Sequence, residues 1–146
     1  MRISRKSEYG LRALIAMARA PKSFQIQELS RIENIPVKFL EQILITLRHA
    51  GYLTSKRGVR GGYMLRVPAG QVTVGEVIRL LDGPIAPLPC AAELPVERCT
   101  CPDPRTCPLR LFMTGVRQEL TALLDRRTID DLVRLSPEGA RLAFDI

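Results

Sequence analysis

Residues 37–67 read VKFLEQILITLRHAGYLTSKRGVRGGYMLRV, and this stretch decides the fold. Its first half carries Leu40, Ile43, Leu44 and Leu47 at three- and four-residue steps, the period of a helix with one buried side. The other side offers Lys38, Glu41, Gln42, Thr46, Arg48 and His49, and Gly51 is a natural stop. Two β-like runs follow, 52–56 and 63–67, joined by the glycine-rich turn Arg57-Gly58-Val59-Arg60-Gly61-Gly62. Upstream, residues 27–32 form a short helix. Glu33-Asn34-Ile35-Pro36 makes a turn in which Asn34 tolerates left-handed backbone and Pro36 suits a helix start.

Two helices joined by a tight turn and followed by a hairpin predict a winged helix-turn-helix, a mainly α fold with a small β hairpin. In that arrangement the second helix enters a major groove. Gln42 has the amide that pairs with adenine, and Glu41 the carboxylate that accepts from cytosine N4. Glycines let the hairpin tip approach a duplex backbone, and Arg57 or Arg60 suits the negative potential of a narrow minor groove. Lys38, Thr46, Arg48, Lys56, Arg66 and, at the N-terminus, Arg2 complete the expected DNA-contacting set. The alternatives are an ordinary helical hairpin, or a winged helix that binds protein instead of DNA.

Charge agrees with a polyanionic partner. The chain has 146 residues with 22 Lys and Arg against 15 Asp and Glu, a net charge of +7. Residues 1–66 hold 13 of the basic and only 4 of the acidic residues, whereas 67–146 hold 9 and 11. The excess therefore belongs to the N-terminal half. The expected double-stranded DNA partner and the absence of any long apolar run or secretion signal place the chain in the cytoplasm, away from membranes. With one histidine, no nucleophile–base pair and no cofactor-binding motif, an enzyme is not expected.

Before the decisive stretch, residues 4–20 form an amphipathic helix ended by Pro21, and Phe24 and Ile26 flank Gln25 in a short alternating stretch. After it, Thr73 caps a short helix reaching Leu81, with Glu76 at the third position. Seven of the 11 prolines and all four cysteines fall between Pro84 and Pro108, which excludes a continuous helix or central strand there. The longest uninterrupted helix spans 109–127, with Leu109, Phe112, Met113, Val116, Leu120, Leu123 and Leu124 in a stripe. A small winged helix has limited surface to bury such a stripe, so pairing with a second copy is expected. A dimer would present two recognition helices to a palindromic operator. Thr128 caps a final short helix, and 137–146 is expected to be a loosely held tail. The divisions expected are 1–82 for DNA binding, 83–108 for the cysteine loop, 109–135 for the dimerisation and terminal helices, and 136–146 for the tail.

Cys90, Cys99, Cys101 and Cys107 give the pattern C-x8-C-x-C-x5-C. An intracellular chain favours metal or redox chemistry over a disulfide framework. Zinc sites generally use paired C-x2-4-C knuckles, absent here, whereas iron–sulfur clusters accept irregular spacing on a loop. Arg98, Arg105 and Arg110 flank the cysteines and would offset the charge of a thiolate-ligated cluster. An iron–sulfur cluster, zinc and a thiol switch all remain open.

Several motifs then converge on one family. Met1-Arg2-Ile3-Ser4, the run Ile35-Pro36-Val37-Lys38-Phe39-Leu40-Glu41-Gln42-Ile43-Leu44, Gly51-Tyr52-Leu53, Arg57-Gly58 with Gly61-Gly62-Tyr63, and Val74-Gly75-Glu76-Val77-Ile78 resemble the IscR/NsrR (Rrf-two) family of bacterial transcription regulators over about residues 1–135. The resemblance implies a homodimeric winged-helix repressor, often with a 2Fe-2S or 4Fe-4S cluster on the loop before the dimerisation helix. Cluster state would then link operator binding to iron, redox or nitrosative signals. It also implies that Glu41 helps discriminate bases and that Arg57 reaches into the minor groove. The best-known ligand pattern of the family resembles C-x5-C-x5-C with a histidine three residues further on. Cys101 and Cys107 match its second half, but the histidine position is Arg110, which is not a ligand. Cys99 is the simplest fourth ligand. Glu8, matching a carboxylate that some relatives donate from the partner subunit, is the other, beside its plainer reading as a surface residue offset by Arg5 and Arg12.

Overall fold

The computed structural model describes residues 2–94 and 99–135. The expectations for Arg98 and for the tail lie outside them. The chain order is α1 (Arg5–Arg19), α2 (Ile26–Glu33), α3 (Val37–His49), β1 (Leu53–Lys56), β2 (Gly62–Leu65), α4 (Val74–Asp82), α5 (Pro108–Asp125) and α6 (Ile129–Arg134). Single 3-10 turns lie at 69–71 and 89–91. This is the winged helix-turn-helix that the 37–67 stretch predicts.

Helix ends follow local chemistry. The Ser4 hydroxyl accepts from the Ser7 amide to cap α1. Asn34 takes φ 51° and ψ 49° to end α2, and Pro36 stands at the cap position of α3. Thr73 with Glu76, and Thr128 with Asp131, form reciprocal capping boxes at α4 and α6.

The core is centred on α1, α3 and the wing base. Leu14, Leu29, Leu40, Leu44, Leu47 and Val72 are fully buried in it. So is Ile129, which brings α6 back onto α1. Two backbone hydrogen bonds fix that return: Val74 N–H to Arg127 O at 2.8 Å and Ile129 N–H to Val72 O at 2.9 Å. The short helix at the C-terminal side of the described chain therefore completes the core of the winged helix-turn-helix half.

β1 and β2 pair antiparallel, Leu53 opposite Leu65 and Lys56 opposite Gly62. The alternating segment around Phe24 adds one further rung, Phe24 and Tyr63 exchanging both backbone bonds at 2.8 Å. Gly62 makes this rung possible: its φ is +145°, and a Cβ there would lie against the Phe24 carbonyl.

α4 packs between α1 and α5. Its Gly75 leaves room for the Asp125 carboxylate of α5, which also pairs with Arg79 at 2.7 Å. The apolar stripe of α5 serves two faces. Leu120 and Leu124 pack on a small cluster of Val74, Ile78 and Ile85, while Leu109, Leu111, Phe112 and Val116 are exposed.

Candidate functional site

The residues expected to contact DNA lie on α3, on or beside the wing, and ahead of α1, and all but Thr46 are exposed. Lys38, Glu41, Gln42 and Arg48 are exposed along α3, because burying Leu40, Ile43, Leu44 and Leu47 turns the opposite side outward. Thr46 is half-buried, and its hydroxyl donates to the Gln42 carbonyl at 2.9 Å. Arg48 donates to the Ser55 hydroxyl at 3.1 Å, tying the end of α3 to β1. Lys56, Arg57, Arg60 and Arg66 are exposed on or beside the wing, and Arg2 is exposed ahead of α1. A residue not singled out from the sequence also matters here. The Gln25 side-chain amide donates to the Val59 carbonyl at 3.1 Å, bracing the wing tip against the start of α2. Val59 itself is 93% exposed, so the tip projects freely beyond that brace.

The connection from 83 to 107 places the cysteines between α4 and α5. Cys90 lies in the 3-10 turn at 89–91, and Cys107 caps α5. All four thiols are free and half-buried rather than exposed as the proline-rich loop suggests. The Cys99 and Cys101 sulfurs are 2.8 Å apart, in hydrogen-bond contact. Cys99 also interacts with Cys90, and Cys101 with Cys107. The loop thus links the thiols in the order 90, 99, 101, 107.

Mutual contact sets their proton affinities apart. The Cys101 thiol is pushed up to about 12 by donating to Cys99, by burial and by neighbouring Cys107. The Cys99 thiol is lowered, chiefly because its sulfur accepts from the Cys101 thiol and backbone. Cys90 is raised by burial and by Cys99.

Arg110 organises this loop. Its Nε donates to the Cys90 carbonyl and its terminal nitrogen to the Pro104 carbonyl, both at 3.0 Å, so one guanidinium from the first turn of α5 pins two distant points of the loop. The sequence marked Arg110 only as a charge and as a non-ligand. Its three-residue offset from Cys107, which turns it toward the loop, was the available signal. Arg105 is 89% exposed and, among the described residues, its side chain bonds only locally with Asp103. Glu8 is half-buried on α1, paired with Arg5 at 3.0 Å and Arg12 at 3.3 Å.

The donor set fits a thiolate-held cluster in kind and number: four soft sulfur donors on one loop, with a cation beside them. Among the described residues, no three His, Cys, Asp or Glu side chains surround a single point as metal ligands. No described helix is long and apolar enough to cross a membrane.

Comparison with known proteins agrees with the winged-helix fold. Residues 3–135 match a family model described as Rrf2, iron-dependent transcriptional regulator. The chain is 35% identical over 149 residues to an rrf2-like HTH-type transcriptional regulator of Rhodobacter capsulatus, covering 98% of this chain and 99% of that one. It is similar to CymR of Bacillus subtilis, described as a global cysteine regulator, whose solved structure has a TM-score of 0.73 at 30% identity, covering 91% of this chain and 96% of that one. The oxidized form of Staphylococcus aureus CymR gives a TM-score of 0.74 at 29% identity, covering 93% and 98%. Sequence motifs, fold and relatives lead to one conclusion: the chain is a DNA-binding transcriptional regulator of the Rrf2 family.

Proposed function

We propose that this regulator is a homodimeric repressor of palindromic operators whose DNA binding is governed by an iron–sulfur cluster held on the cysteine loop. The observation that carries the reading is the gathering of all four thiols on one connection between α4 and α5. Cys101 and Cys107 are the first ligands, with Cys99 and Cys90 completing an all-cysteine set. The 2.8 Å contact between Cys99 and Cys101 has to open for both to serve. Glu8 is the alternative fourth ligand, reached across the dimer, and would first have to leave Arg5 and Arg12. When bound, such a group supplies redox- and ligand-sensitive iron. The protein's own part is to hold the loop through Arg110 and to pass a change of loop shape through α4 and α5 to α1.

The side of α5 carrying exposed Leu111, Phe112 and Val116 and half-buried Leu123 supplies the face for a second copy. DNA contact falls to Lys38, Glu41, Gln42, Thr46 and Arg48 on α3, to Lys56, Arg57, Arg60 and Arg66 on the wing, and to Arg2. Glu41 and Gln42 read bases, and Arg57 enters the minor groove.

The test is an anaerobic absorption and Mössbauer spectrum with iron and sulfide analysis, repeated for each cysteine and for Glu8→Gln. Colourless protein lacking both elements would refute the cluster. A full cluster in Cys101→Ala or Cys107→Ala would refute the ligand assignment.

The Cys99–Cys101 contact favours a second reading, a thiol switch on the same scaffold, to which the oxidized form of the S. aureus relative lends support. Cys99 would attack a peroxide to give a sulfenic acid and one equivalent of water or alcohol. A neighbouring thiol would then displace the second oxygen as water, leaving a disulfide. Mass spectrometry of peroxide-treated, iron-free protein would find two hydrogens lost from the Cys90–Cys107 peptide, with operator release reversed by dithiothreitol. Zinc on the same thiols would instead give one equivalent of tightly held zinc and no colour.

A further inference from the structure

A cavity of about 240 Å3 lies on the other side of α5 from Phe112 and Val116, between that helix, the end of α4 and the loop before Cys99. Its wall combines apolar Ile85 and Leu94 with Arg79, Arg117, Thr121 and Glu93. None of these residues belongs to the DNA surface or to the cysteine set.

Arg117 is the unusual member. Its side chain is only 12% exposed, and its Nε is buried with no hydrogen-bond partner among the described residues. A buried guanidinium donor left unpaired is costly, and such groups ordinarily find an acceptor. Its one ionic contact among the described residues is with Glu93, at 3.1 Å, and the Glu93 side chain is 73% exposed. An exposed loop carboxylate tethers a buried cation only weakly. Arg79, by contrast, is already engaged by Asp125 at 2.7 Å. Beside this charge, Ile85 and the 80% exposed Leu94 present apolar surface to the same space.

We propose that this cavity binds a small apolar monocarboxylic acid, its carboxylate seated on Arg117 and its body against Ile85 and Leu94. A carboxylate offers two oxygens to a guanidinium fork, so once Glu93 has swung away and uncovered Nε it engages Nε together with a terminal nitrogen, which Glu93 does not. Size sets the class. A cavity of about 150 Å3 holds benzene, so this one takes roughly nine or ten heavy atoms, the size of benzoate. Glu93 occupies the anchor in the free protein and is displaced. It lies three residues after Cys90 and six before Cys99, so occupancy bears on the cysteine loop whatever that loop carries.

The test is calorimetric titration of the full chain with sodium benzoate, with neutral benzamide as control. Benzoate binds one per chain with a Kd on the order of 1 mM or tighter, and benzamide does not bind. Glu93→Gln, at an exposed position, tightens benzoate binding about two- to five-fold by removing the competing carboxylate. Arg117→Leu abolishes it. Should Arg117→Leu misfold by circular dichroism, Arg117→Lys, which keeps the charge but lacks the fork, weakens binding instead. Equal binding of benzamide, no saturation with benzoate at tens of millimolar, or Glu93→Gln that weakens or leaves binding unchanged would each overturn the assignment.

Discussion

Replacing Gly62 by alanine tests whether the wing is anchored through the Phe24 rung. Two costs add at this position. The first is backbone strain, since φ is +145°, a conformation that side-chain-bearing residues rarely adopt. The second is steric: the new methyl group meets the Phe24 carbonyl, so the pair of 2.8 Å bonds between Phe24 and Tyr63 has to part. Gly58→Ala isolates the first cost, because Gly58 has φ +109° and open space where its Cβ would be. Strain of this kind costs about 1–3 kcal/mol in either variant. Losing two backbone bonds adds about 1–3 kcal/mol in Gly62→Ala alone. With a slope of roughly 3 °C per kcal/mol for a chain of this size, the melting temperature of Gly62→Ala falls about 3–9 °C below that of Gly58→Ala. Thermal and urea unfolding of both variants beside the parent gives the difference directly. Equal destabilisation of the two, within about 0.5 kcal/mol, would refute the claim that the rung holds the wing.

Other outcomes follow from the packing and charge. Leu44→Ala, at a fully buried position, lowers unfolding free energy by about 2.7–5 kcal/mol with little change in the urea slope, and a loss under about 1 kcal/mol would mean the core is not closed there. Arg57→Ala reduces the magnitude of the slope of log affinity against log salt by about one on operator DNA, measured by fluorescence anisotropy, and an unchanged slope would take Arg57 off the phosphate-facing surface. Asp131 accepts from the Thr128 amide and hydroxyl, both at 2.9 Å, which holds its carboxyl below the usual 3.8. Its contribution to stability is therefore present above about pH 4 and lost as pH falls through the lower folded value. Asp131→Asn is accordingly less stable than the parent at pH 7, and the gap closes toward pH 2; a gap undiminished in acid would remove the carboxylate as its cause.

Periodicity and capping chemistry carried most of the helical frame. The Leu40, Ile43, Leu44 and Leu47 positions of α3 are all buried, Asn34 is left-handed, and Thr73 and Thr128 cap their helices. What local pattern does not encode is which neighbour an apolar stripe meets. The α5 stripe is correct as a set of apolar positions, yet Leu120 and Leu124 turn to α4 while Phe112 and Val116 face outward. Sequence spacing brings Cys99 and Cys101 together, whereas Cys90 joins them only through the fold of the loop. Contacts to backbone carbonyls leave no residue-pair signature. For that reason the Gln25 brace left no trace in the sequence, and the Arg110 clamp showed only as a three-residue offset from Cys107.

The return of α6 has a consequence for how the protein is made. The helix-turn-helix and wing are synthesised well before α6, and Ile129, a fully buried member of their core, follows more than sixty residues after the wing. At translation speeds of about 5–20 residues per second, that interval is several seconds during which the nascent segment lacks one wall. A chain broken off before α6 leaves Val72 and its carbonyl uncovered, so it is a target for proteolysis. Placing this keystone so far beyond the wing makes synthesis of α6 a condition for closing the core around it.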